Sequence, residues 1–469
     1  MGQASTAAGL QTRSGKQPCL VWFRQDLRLS DNPALLAAVQ RGGPVIPVFV
    51  WAPEEDRPWA PGRASRWWLA RSLAALDTAL RQHGSRLIVR RGPTVTALVK
   101  LASECGADTV FWNRRYEPAA AARDEKVKAA VASETFESAL LVDPGRILNS
   151  AGRPFQVFSA FWRACQSMPE PAAPQRAPAR IPAPSRWPES ETALDESTAI
   201  EGWQPGEPGA QERLRRFLKR AGSYATDRDR PDHEGTSRLS PHLHFGEISP
   251  RQIWHALRSN EAYLRELAWR EFAWHLLFHF PKTSDEPFRP RRREAPSKLD
   301  PRSLRLWRTG GTGYPIVDAG MRQLLETGWM HNRVRMLVAS FLVKDLLIDW
   351  REGAAWFWDT LVDADLANNT LNWQWVAGCG ADASPWFRIF NPVTQGEKFD
   401  PQGDYVRRWL PQLEHLPAAW IHKPWDAPAS VLAAAGVRLG RTYPRPIVDH
   451  REASDRARAT AGLGPNVSL

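Results

Sequence analysis

The sequence predicts two domains of different class: an α/β domain built on a doubly wound parallel sheet, and a large all-α domain that follows it. The chain has 469 residues, more than one hydrophobic core usually serves. Short apolar runs alternate with amphipathic segments at first, and from about residue 200 one amphipathic segment follows another. We therefore place the α/β domain at 19–150, a linker at 151–200 and the helical domain at 201–469, and we expect residues 1–18 to be a disordered extension.

The elements of the α/β domain follow from apolar periodicity and from turn residues. The run CLVWFR at 19–24 predicts a buried strand, which begins where a polar tail ends. The next segment, DNPALLAAVQRGG at 31–43, predicts a helix that Asp31 or Asn32 caps, with a proline in its first turn and a glycine at its end. The alternation continues with predicted strands at 44–51, 86–91 and 108–112 and predicted helices at 64–83 and 94–105.

Strands that alternate with helices imply a parallel sheet covered by helices on both faces. The α/β segment has no GxGxxG motif and no Walker loop, so ordinary nicotinamide-dinucleotide and P-loop classes lack their phosphate-binding loop here. After this segment, residues 168–190 are rich in Pro and Ala and have little periodicity. Their composition predicts a semi-rigid linker that spaces the two domains.

Composition limits the partners and the compartment. The chain has 62 Lys and Arg against 51 Asp and Glu, and this net charge of +11 suggests a polyanionic partner such as nucleic acid, with a merely basic, soluble surface as the alternative. Its 23 Trp suit a core, but indoles also stack on bases and carry electrons. The distant Cys19, Cys105, Cys165 and Cys379 form no metal-ligand pair, so we expect no metal site and a reducing compartment. No apolar run has the roughly 18 residues of a membrane span, and the N-terminus lacks a signal-peptide core, so we expect a cytoplasmic protein without membrane contact.

The second domain is predicted to be helix after helix. Its apolar residues recur at helical spacing, and no segment with the period of a strand is comparably strong. The strongest predicted helical segments are 212–225, 249–280, 314–328 and 331–350.

Two segments of this domain combine polar groups in ways that suit a ligand. In EGTSRLSPHLHFG at 234–246, hydroxyl groups cluster ahead of a helix predicted to begin near Pro250, a loop that can hold a pyrophosphate or serve only as a cap and turn. In ELAWREFAWHLL at 266–277, a carboxylate, an indole and a guanidinium share one helix face and predict a polar cavity or a solvated edge. That face carries Glu266, Trp269, Arg270 and Ala273.

Two further segments concentrate polar and aromatic groups. GWMHNRVRM at 328–336 places an amide, two guanidinium groups and a thioether within about one turn, between apolar segments, which favours a cavity over a solvated face. In 361–382, three acids, paired Asn residues and two Trp alternate with small residues, although Asx turns in a loop are the alternative. The pair Arg335 and Asp363 would suit a polarised group such as the carbonyl edge of a flavin.

Long motifs carry a resemblance to a known family. They are LVWFRQDLRLSDNPAL, EGTSRLSP, WREF, GTGYPIVDAGMRQLLETGWMHNRVRM, FLVKDLLIDWREG, NWQW and FRIFNPVTQGEKFD. Over roughly residues 19–450 the sequence resembles the photolyase/cryptochrome family, and within it the class I cyclobutane pyrimidine dimer (CPD) photolyases.

The resemblance implies an N-terminal antenna domain and a helical domain that binds FAD, which is active in its reduced anionic form. Asn369 matches the residue that faces flavin N5. Plant cryptochromes tend to carry Asp there, so Asn favours a repair enzyme. The other positions that match FAD-binding residues are Tyr224, Thr236, Ser237, Arg238, Leu239, Ser240 and Tyr263 for the phosphates and sugar, and Arg270, Asn332, Arg335, Asp363 and Asp365 around the flavin.

The resemblance also implies UV-damaged DNA as substrate. Trp269 and Trp375 would clamp a flipped dimer by stacking, and Glu266 would hydrogen-bond the thymine edges and stabilise developing negative charge. A (6-4) photolyase would carry paired His where this chain has one, so we interpret His331 as structural. The positions that match DNA contacts are Arg228, Glu266, Trp269, Asn332, Arg333, Met336 and Trp375, and the run RPRRRE at 289–294 adds basic charge.

The implied mechanism is light-driven electron transfer from the cofactor to the dimer, with Glu266, Asn369, Trp373 and Trp350 as the catalytic and relay residues. Trp373 and Trp350 match the first two members of the family's tryptophan relay, but Ser297 occupies the third position. We therefore expect slow or rerouted photoreduction. The candidates for an alternative exit are Trp274, Trp356, Trp358 and Trp386.

An antenna chromophore and two alternative functions remain open at this point. Glu117 matches a contact of methenyltetrahydrofolate, but a Cys-Lys pair of that pocket is replaced by KTSDE at 282–286, so a deazaflavin, a flavin or no chromophore also fit. A cryptochrome-type blue-light receptor is the alternative to the repair enzyme, and a flavoprotein that binds nucleic acid without repairing it is a third. A monomer is the family expectation.

Overall fold

Both predicted domains are present in the computed structural model, which describes residues 16–192, 194, 200–289, 300–383, 385 and 388–460. Ser297, Trp386 and most of the arginine-rich run 289–294 lie outside the described residues, as does most of the predicted N-terminal extension.

The N-terminal domain is a five-stranded parallel sheet in the order β3-β2-β1-β4-β5, which confirms the doubly wound prediction. Side chains of β1 alternate between two cores: Cys19, Val21 and Phe23 pack on one face, and Leu20 and Trp22 pack on the other. Both faces of the sheet are therefore buried, as parallel sheets require. The strands are β1 Cys19–Phe23, β2 Val45–Trp51, β3 Ile88–Arg91, β4 Thr109–Asn113 and β5 Ser133–Phe136.

Four helices connect these strands. Asn32 rather than Asp31 caps the first of them, because its side chain accepts the backbone N–H of Leu35 at 3.2 Å. The last helix and strand of the domain were not predicted, since the helix is rich in Ala and charged residues without an apolar stripe and the strand is short and polar. The helices are α1 Pro33–Gln40, α2 Arg63–Gln82, α3 Thr94–Cys105 and α4 Pro118–Ala130.

The predicted linker 151–200 is packed against both domains. It contains a helix, α5 Phe158–Gln166, whose Phe158 and Phe161 are buried in a core shared with the helical domain. The Pro/Ala-rich stretch that follows lies along the sheet domain, where Ile181 is fully buried and the Pro182 carbonyl accepts the N–H of Val45 at 2.8 Å. The segment is a strap rather than a free spacer, because proline-rich backbone can still bury its apolar side chains.

The C-terminal domain is helical throughout its described part. The predicted helix 249–280 is two helices, because Asn260 caps a new one by accepting the N–H of Tyr263 at 3.0 Å. The predicted helix 331–350 passes into a π-helical turn at Phe341–Asp345 and ends before Trp350, which starts another helix. The helices are α6 Glu207–Leu218, α7 Tyr224–Asp227, α8 Ser240–His244, α9 Pro250–Leu257, α10 Glu261–His279, α11 Pro301–Thr309, α12 Pro315–Thr327, α13 Asn332–Ser340, α14 Trp350–Thr360, α15 Leu366–Ala377, α16 Pro392–Phe399, α17 Asp404–Trp409, α18 Ala418–Ile421, α19 Ala429–Ala434 and α20 His450–Thr460.

Buried polar contacts join the two domains. Arg28 donates to the carbonyl of Gly246 at 2.8 Å, and Asp31 pairs with Arg251 at 2.8 Å. Gly246 has φ +64°, and a Cβ there would lie 2.1 Å from a backbone oxygen of the sheet domain, so a side chain would separate the domains. Within the described ranges, no helix is long and apolar enough to cross a membrane.

Candidate functional site

A cavity of about 400 Å³ lies in the helical domain, among α10, α13, α14 and α15. It brings together thirteen of the residues that the sequence singled out, although these are far apart along the chain. They are Arg228, Glu266, Trp269, Arg270, Asn332, Arg333, Arg335, Met336, Asp363, Asp365, Asn369, Trp373 and Trp375.

Helix α10 supplies one wall of this cavity. Glu266, Trp269 and Arg270 line the cavity, as expected for one helix face. The fourth residue of the predicted face, Ala273, does not. It is 1% exposed and packs in the core, because the helix has by then passed beyond the cavity.

Helix α13 supplies the opposite polar groups, and His331 sets where it starts. The Nδ1 atom of His331 accepts the N–H of Arg333 at 3.2 Å. Burial lowers the pKa of His331 to about 4, so its ring is neutral and can accept. This cap orients the first turn, from which Asn332, Arg333 and Arg335 reach the cavity.

The floor of the cavity, defined here as Arg335, Asp363, Asp365 and Asn369, is held by buried contacts. Arg335 donates to both carboxylate oxygens of Asp363, at 3.0 and 2.8 Å, and the Asp363 side chain is only 4% exposed. Asp365 caps α15 by accepting the N–H of Asn368 at 2.8 Å, which is a structural role besides the predicted one. The Asn369 amide donates to the backbone carbonyl of Ala354 at 3.1 Å, which fixes its orientation.

The mouth of the cavity, defined as Arg228, Asp229, Glu266 and Arg333, is held by two ion pairs that water reaches. Arg228 lies 2.5 Å from Glu266, and Arg333 lies 2.8 Å from Asp229. The carboxylate side chains are 29% and 40% exposed, respectively. Asp229 was not among the predicted residues, because an acid between two Arg has no distinguishing pattern.

Trp269 forms a rigid aromatic wall. Its ring stacks on Phe158 with centroids 3.7 Å apart and planes 8° from parallel. The guanidinium of Arg265 lies 5.3 Å from the centroid of the Phe158 ring. Sequence reasoning missed Phe158, since it lies in the segment interpreted as a linker.

Trp373 lines the cavity, and its ring also packs against aromatic residues of the surrounding core. Its ring lies 5.1 Å from Phe357 and 6.3 Å from Trp307. Gly353 permits this packing, because a Cβ there would lie 2.0 Å from the Trp373 ring. Trp350 does not line the cavity, but it is buried in the same core as Trp373.

The candidate exits for an electron lie in different surroundings. Trp356 lies 5.0 Å from the guanidinium of Arg308. Trp358 packs on Trp59 at 5.4 Å, and Trp274 packs on Tyr116 at 6.4 Å, both toward the sheet domain.

None of the residues of the predicted phosphate loop lines the cavity. Ser237 and Tyr263 share a hydrogen bond of 2.8 Å, and the rings of Tyr263 and Tyr224 are 5.0 Å apart. The side chain of Leu239 is 1% exposed in a core, so only its backbone can contact a ligand there. The remaining predicted members of this loop are Thr236, Arg238 and Ser240.

Guanidinium charge concentrates near this loop, although Glu234 pairs with Arg220 at 2.7 Å and Glu212 pairs with Arg216 at 2.6 Å. Burial and the neighbouring charges of Arg238 and Arg216 lower the pKa of Arg213 to about 10, with Glu234 acting against them. Excess guanidinium charge beside hydroxyl groups suits a diphosphate. With a polar floor and aromatic walls in the adjacent cavity, these residues fit a flavin dinucleotide.

A buried carboxylate stands behind the α10 wall. Glu271 is 4% exposed and accepts the backbone N–H groups of Leu141, at 2.8 Å, and Val142. Burial raises its pKa to about 7, although Arg270 lies 3.3 Å away and opposes that shift. Glu271 therefore ties the cavity wall to the segment that follows the sheet. The only sequence signal was its position beside Arg270.

A second cavity, of about 390 Å³, lies between the domains at the carboxyl ends of β1, β2 and β4. Open parallel sheets bind ligands at this edge, where the strand order reverses. Glu117 lines it, buried and paired with Arg115, and so does Lys282 of the segment KTSDE. Trp51 and Trp59 add aromatic surface.

Comparison with known proteins agrees with this architecture. Residues 19–183 match the family model described as DNA photolyase, and residues 263–462 match the FAD binding domain of DNA photolyase. The chain is 50% identical to a deoxyribodipyrimidine photo-lyase from Agrobacterium fabrum, over 94% of this chain and 97% of that one. It is 42% identical to cryptochrome-1 of Arabidopsis thaliana, over 93% of this chain and 69% of the relative.

A solved structure supports the same relationship. A class III photolyase from Agrobacterium tumefaciens superimposes with a TM-score of 0.92 at 48% identity, and the match covers 97% of this chain and 99% of that one. The expected class I is not supported by this neighbour. The chain belongs to the photolyase/cryptochrome family.

Proposed function

We propose that this chain is a light-dependent DNA-repair enzyme that splits cyclobutane pyrimidine dimers, with FAD as its cofactor. The observation that carries the proposal is that Trp269, Trp375 and Glu266 line one cavity together with the floor residues Arg335 and Asn369. Two indoles and a carboxylate around one opening suit a flipped pyrimidine pair, because a base must leave the duplex before chemistry on it can occur.

FAD would be held by the phosphate loop and by the floor. When bound, FAD supplies light absorption and one-electron transfer. Arg335, kept in place by Asp363, would offer a fixed positive charge to a carbonyl group of FAD, and the Asn369 amide, which donates to Ala354, would have its Oδ1 atom left to accept an N–H. The chain contributes positioning and electrostatics, while the cofactor carries the reactive electrons.

The substrate would be held by the α10 wall and by Trp375. The Phe158 stack holds the Trp269 ring in one orientation, so its free face is ready for a base at little entropic cost. Glu266 accepts hydrogen bonds from the imide N–H groups of the pyrimidines. The net charge of +11 favours DNA over neutral partners.

Side chains of the cavity favour a repair enzyme over a cryptochrome-type photoreceptor. Asn369 stands where plant cryptochromes tend to carry Asp, and the residues expected to contact the dimer are present in the cavity. Because the superimposed relative is a class III photolyase, we place the chain in that subclass. We further infer a cytoplasmic monomer; the four cysteines, far apart along the chain, suit a reducing compartment.

The second cavity is proposed to hold an antenna chromophore. Its aromatic lining and its charged Glu117, Arg115 and Lys282 suit a planar heterocycle with polar substituents. Purified protein would show an absorption band besides that of FAD, and a Glu117→Gln variant would lose it selectively.

The test of the proposed function is direct repair. Reduced, illuminated protein should restore absorbance at the thymine band of a UV-damaged oligonucleotide, whereas the same protein in the dark should not. A photochemically active flavoprotein that leaves the band unchanged would favour a cryptochrome-type photoreceptor. Tight binding to damaged DNA without repair would favour a flavoprotein that binds nucleic acid without repairing it.

A further inference from the structure

We propose that Asp229 and Glu266 act as internal substitutes for DNA phosphate. In the DNA-free protein they hold Arg333 and Arg228, and each arginine exchanges its carboxylate for a phosphate when DNA binds. The proposal rests on the proposed function, because it takes DNA as the partner. It assigns to Asp229 the role of limiting the affinity for undamaged DNA, and to Glu266 a second role in recognising damage.

The geometry shows both arginines already in place. Arg333 lies 2.8 Å from Asp229, and its guanidinium sits 4.4 Å over the ring of Phe399. Arg228 lies 2.5 Å from Glu266, with its guanidinium 5.7 Å from the ring of Tyr224. The aromatic contacts do not depend on the carboxylates. Each guanidinium therefore keeps a support when its carboxylate leaves.

In the proposed exchange, each arginine replaces one anionic partner with another. A guanidinium group binds carboxylate and phosphate with the same planar set of donors, so one anion can replace the other without changing the arginine. While the pairs are intact, the charges of Arg228 and Arg333 are neutralised and attract DNA weakly. The affinity for DNA is set by the difference between the two states of each pair.

The two carboxylates differ in what happens to them on release. Asp229 is 40% exposed, so water solvates it once Arg333 turns to a phosphate. Glu266 lies in the cavity wall with Trp269, where a released carboxylate needs another donor. The imide N–H of a flipped pyrimidine is such a donor. Binding of Arg228 to a phosphate of the DNA backbone is therefore coupled to entry of the damaged bases into the cavity. Asp229, in contrast, weakens binding to damaged and undamaged DNA alike.

The first experiment measures binding of dimer-free duplex oligonucleotide in the dark. Asp229→Asn should tighten this binding about 2- to 5-fold, in line with one half-exposed ion pair. The slope of log K against log salt should change by less than about 0.9, the value of one phosphate contact, because Arg333 contacts a phosphate in both proteins. Unchanged affinity, or a slope steeper by about 0.9, would overturn the exchange at Arg333.

Two controls separate this effect from charge and from folding. Asp229→Glu keeps the carboxylate and should bind as the parent protein does. Glu212→Gln makes the same change of charge on helix α6, where Glu212 pairs with Arg215 and Arg216, and it should change the affinity for DNA less than Asp229→Asn does. A Glu212→Gln effect as large as that of Asp229→Asn would mean that net charge, and not the ion pair, sets the affinity.

The second experiment compares dimer-containing and dimer-free duplexes. Glu266→Gln frees Arg228 and should tighten dimer-free binding about 2- to 5-fold, but dimer binding by less than about twofold, because the weaker hydrogen bond from the imide N–H to the uncharged amide offsets the gain. The ratio of the two Kd values should fall. Equal tightening on both duplexes would overturn the coupling. Failure of the proposed function would appear separately, as absence of light-driven repair by the parent protein.

Discussion

The floor and the mouth of the cavity use the same chemistry for opposite purposes. Both are built from arginine–carboxylate pairs, but Asp363 in the floor is 4% exposed, while Asp229 and Glu266 in the mouth are 40% and 29% exposed. A pair shielded from water is costly to break, and a half-exposed pair is nearly neutral in free energy. The floor therefore holds one geometry, and the mouth can exchange its partners.

The largest effect is expected from breaking the floor. Asp363→Ala leaves Arg335 half-buried without its carboxylate and should lower the free energy of unfolding by about 2–3 kcal/mol. It should also reduce the FAD content of the purified protein. Denaturant unfolding and flavin absorbance check both. The matched change in the mouth, Asp229→Ala, should cost less than about 1 kcal/mol, and equal costs would contradict the comparison.

Glu271, which is buried beside Arg270, should make the stability of the protein depend on pH. Its folded pKa of about 7 is raised from 4.5 by burial, so the folded protein holds a proton there that the unfolded chain has released. The stability it contributes is present below about pH 4.5 and is lost as pH rises through about 7, by up to about 3 kcal/mol.

The variant Glu271→Gln does not titrate and should lack this loss. Unfolding of both proteins between about pH 5 and 8 gives the difference, in which other groups cancel. That difference should favour the parent protein more at low pH than at high pH. A difference that is constant with pH would show that Glu271 is ionised throughout this range.

A substitution in the aromatic wall beside the mouth should have a moderate effect on stability and on binding of the dimer. Phe158→Leu removes the stacking partner of Trp269 and should cost about 1–2 kcal/mol of stability, with dimer binding weakened about 5- to 10-fold. Phe161→Leu is the control, because Phe161 is equally buried in the same core but contacts Phe155, Phe272 and His275 instead. Equal loss of dimer binding in both variants would remove the specific role of Phe158.

Substitution of Trp350, which lies outside the cavity, should change photoreduction of the flavin and leave repair intact. Trp350→Phe should slow photoreduction of the flavin at least about tenfold, because it removes the second relay position, while repair by pre-reduced protein persists. Transient absorption measures both this variant and Trp356→Phe, which reports on the rerouted exit. Full photoreduction without Trp350 would contradict a route through it.

Sequence reasoning succeeded where the signal is local or where a long motif is shared. Strands β1 to β4 follow from short apolar runs, and one face of α10 follows from spacing along a helix. The resemblance implied that Arg335, Asp363 and Asn369 surround the flavin, and the structure places all three in the cavity. Their roles as ligands remain predictions until binding is measured.

Sequence reasoning failed where a contact joins distant segments. The linker interpretation concealed α5 and with it the stack of Phe158 on Trp269, 111 positions apart in the numbering. Glu271 and Asp229 looked like ordinary acids.

By itself, the sequence determined the two domain types, the family and most of the residues around the cavity, because apolar period and long motifs are properties of neighbouring positions. Only the tertiary structure decided which of 51 acids pairs with which of 62 bases, and how far water reaches each pair. Ion-pair partners are chemically alike, so the choice among them depends on distances that packing of the helices sets. Those distances separate the fixed floor from the exchangeable mouth.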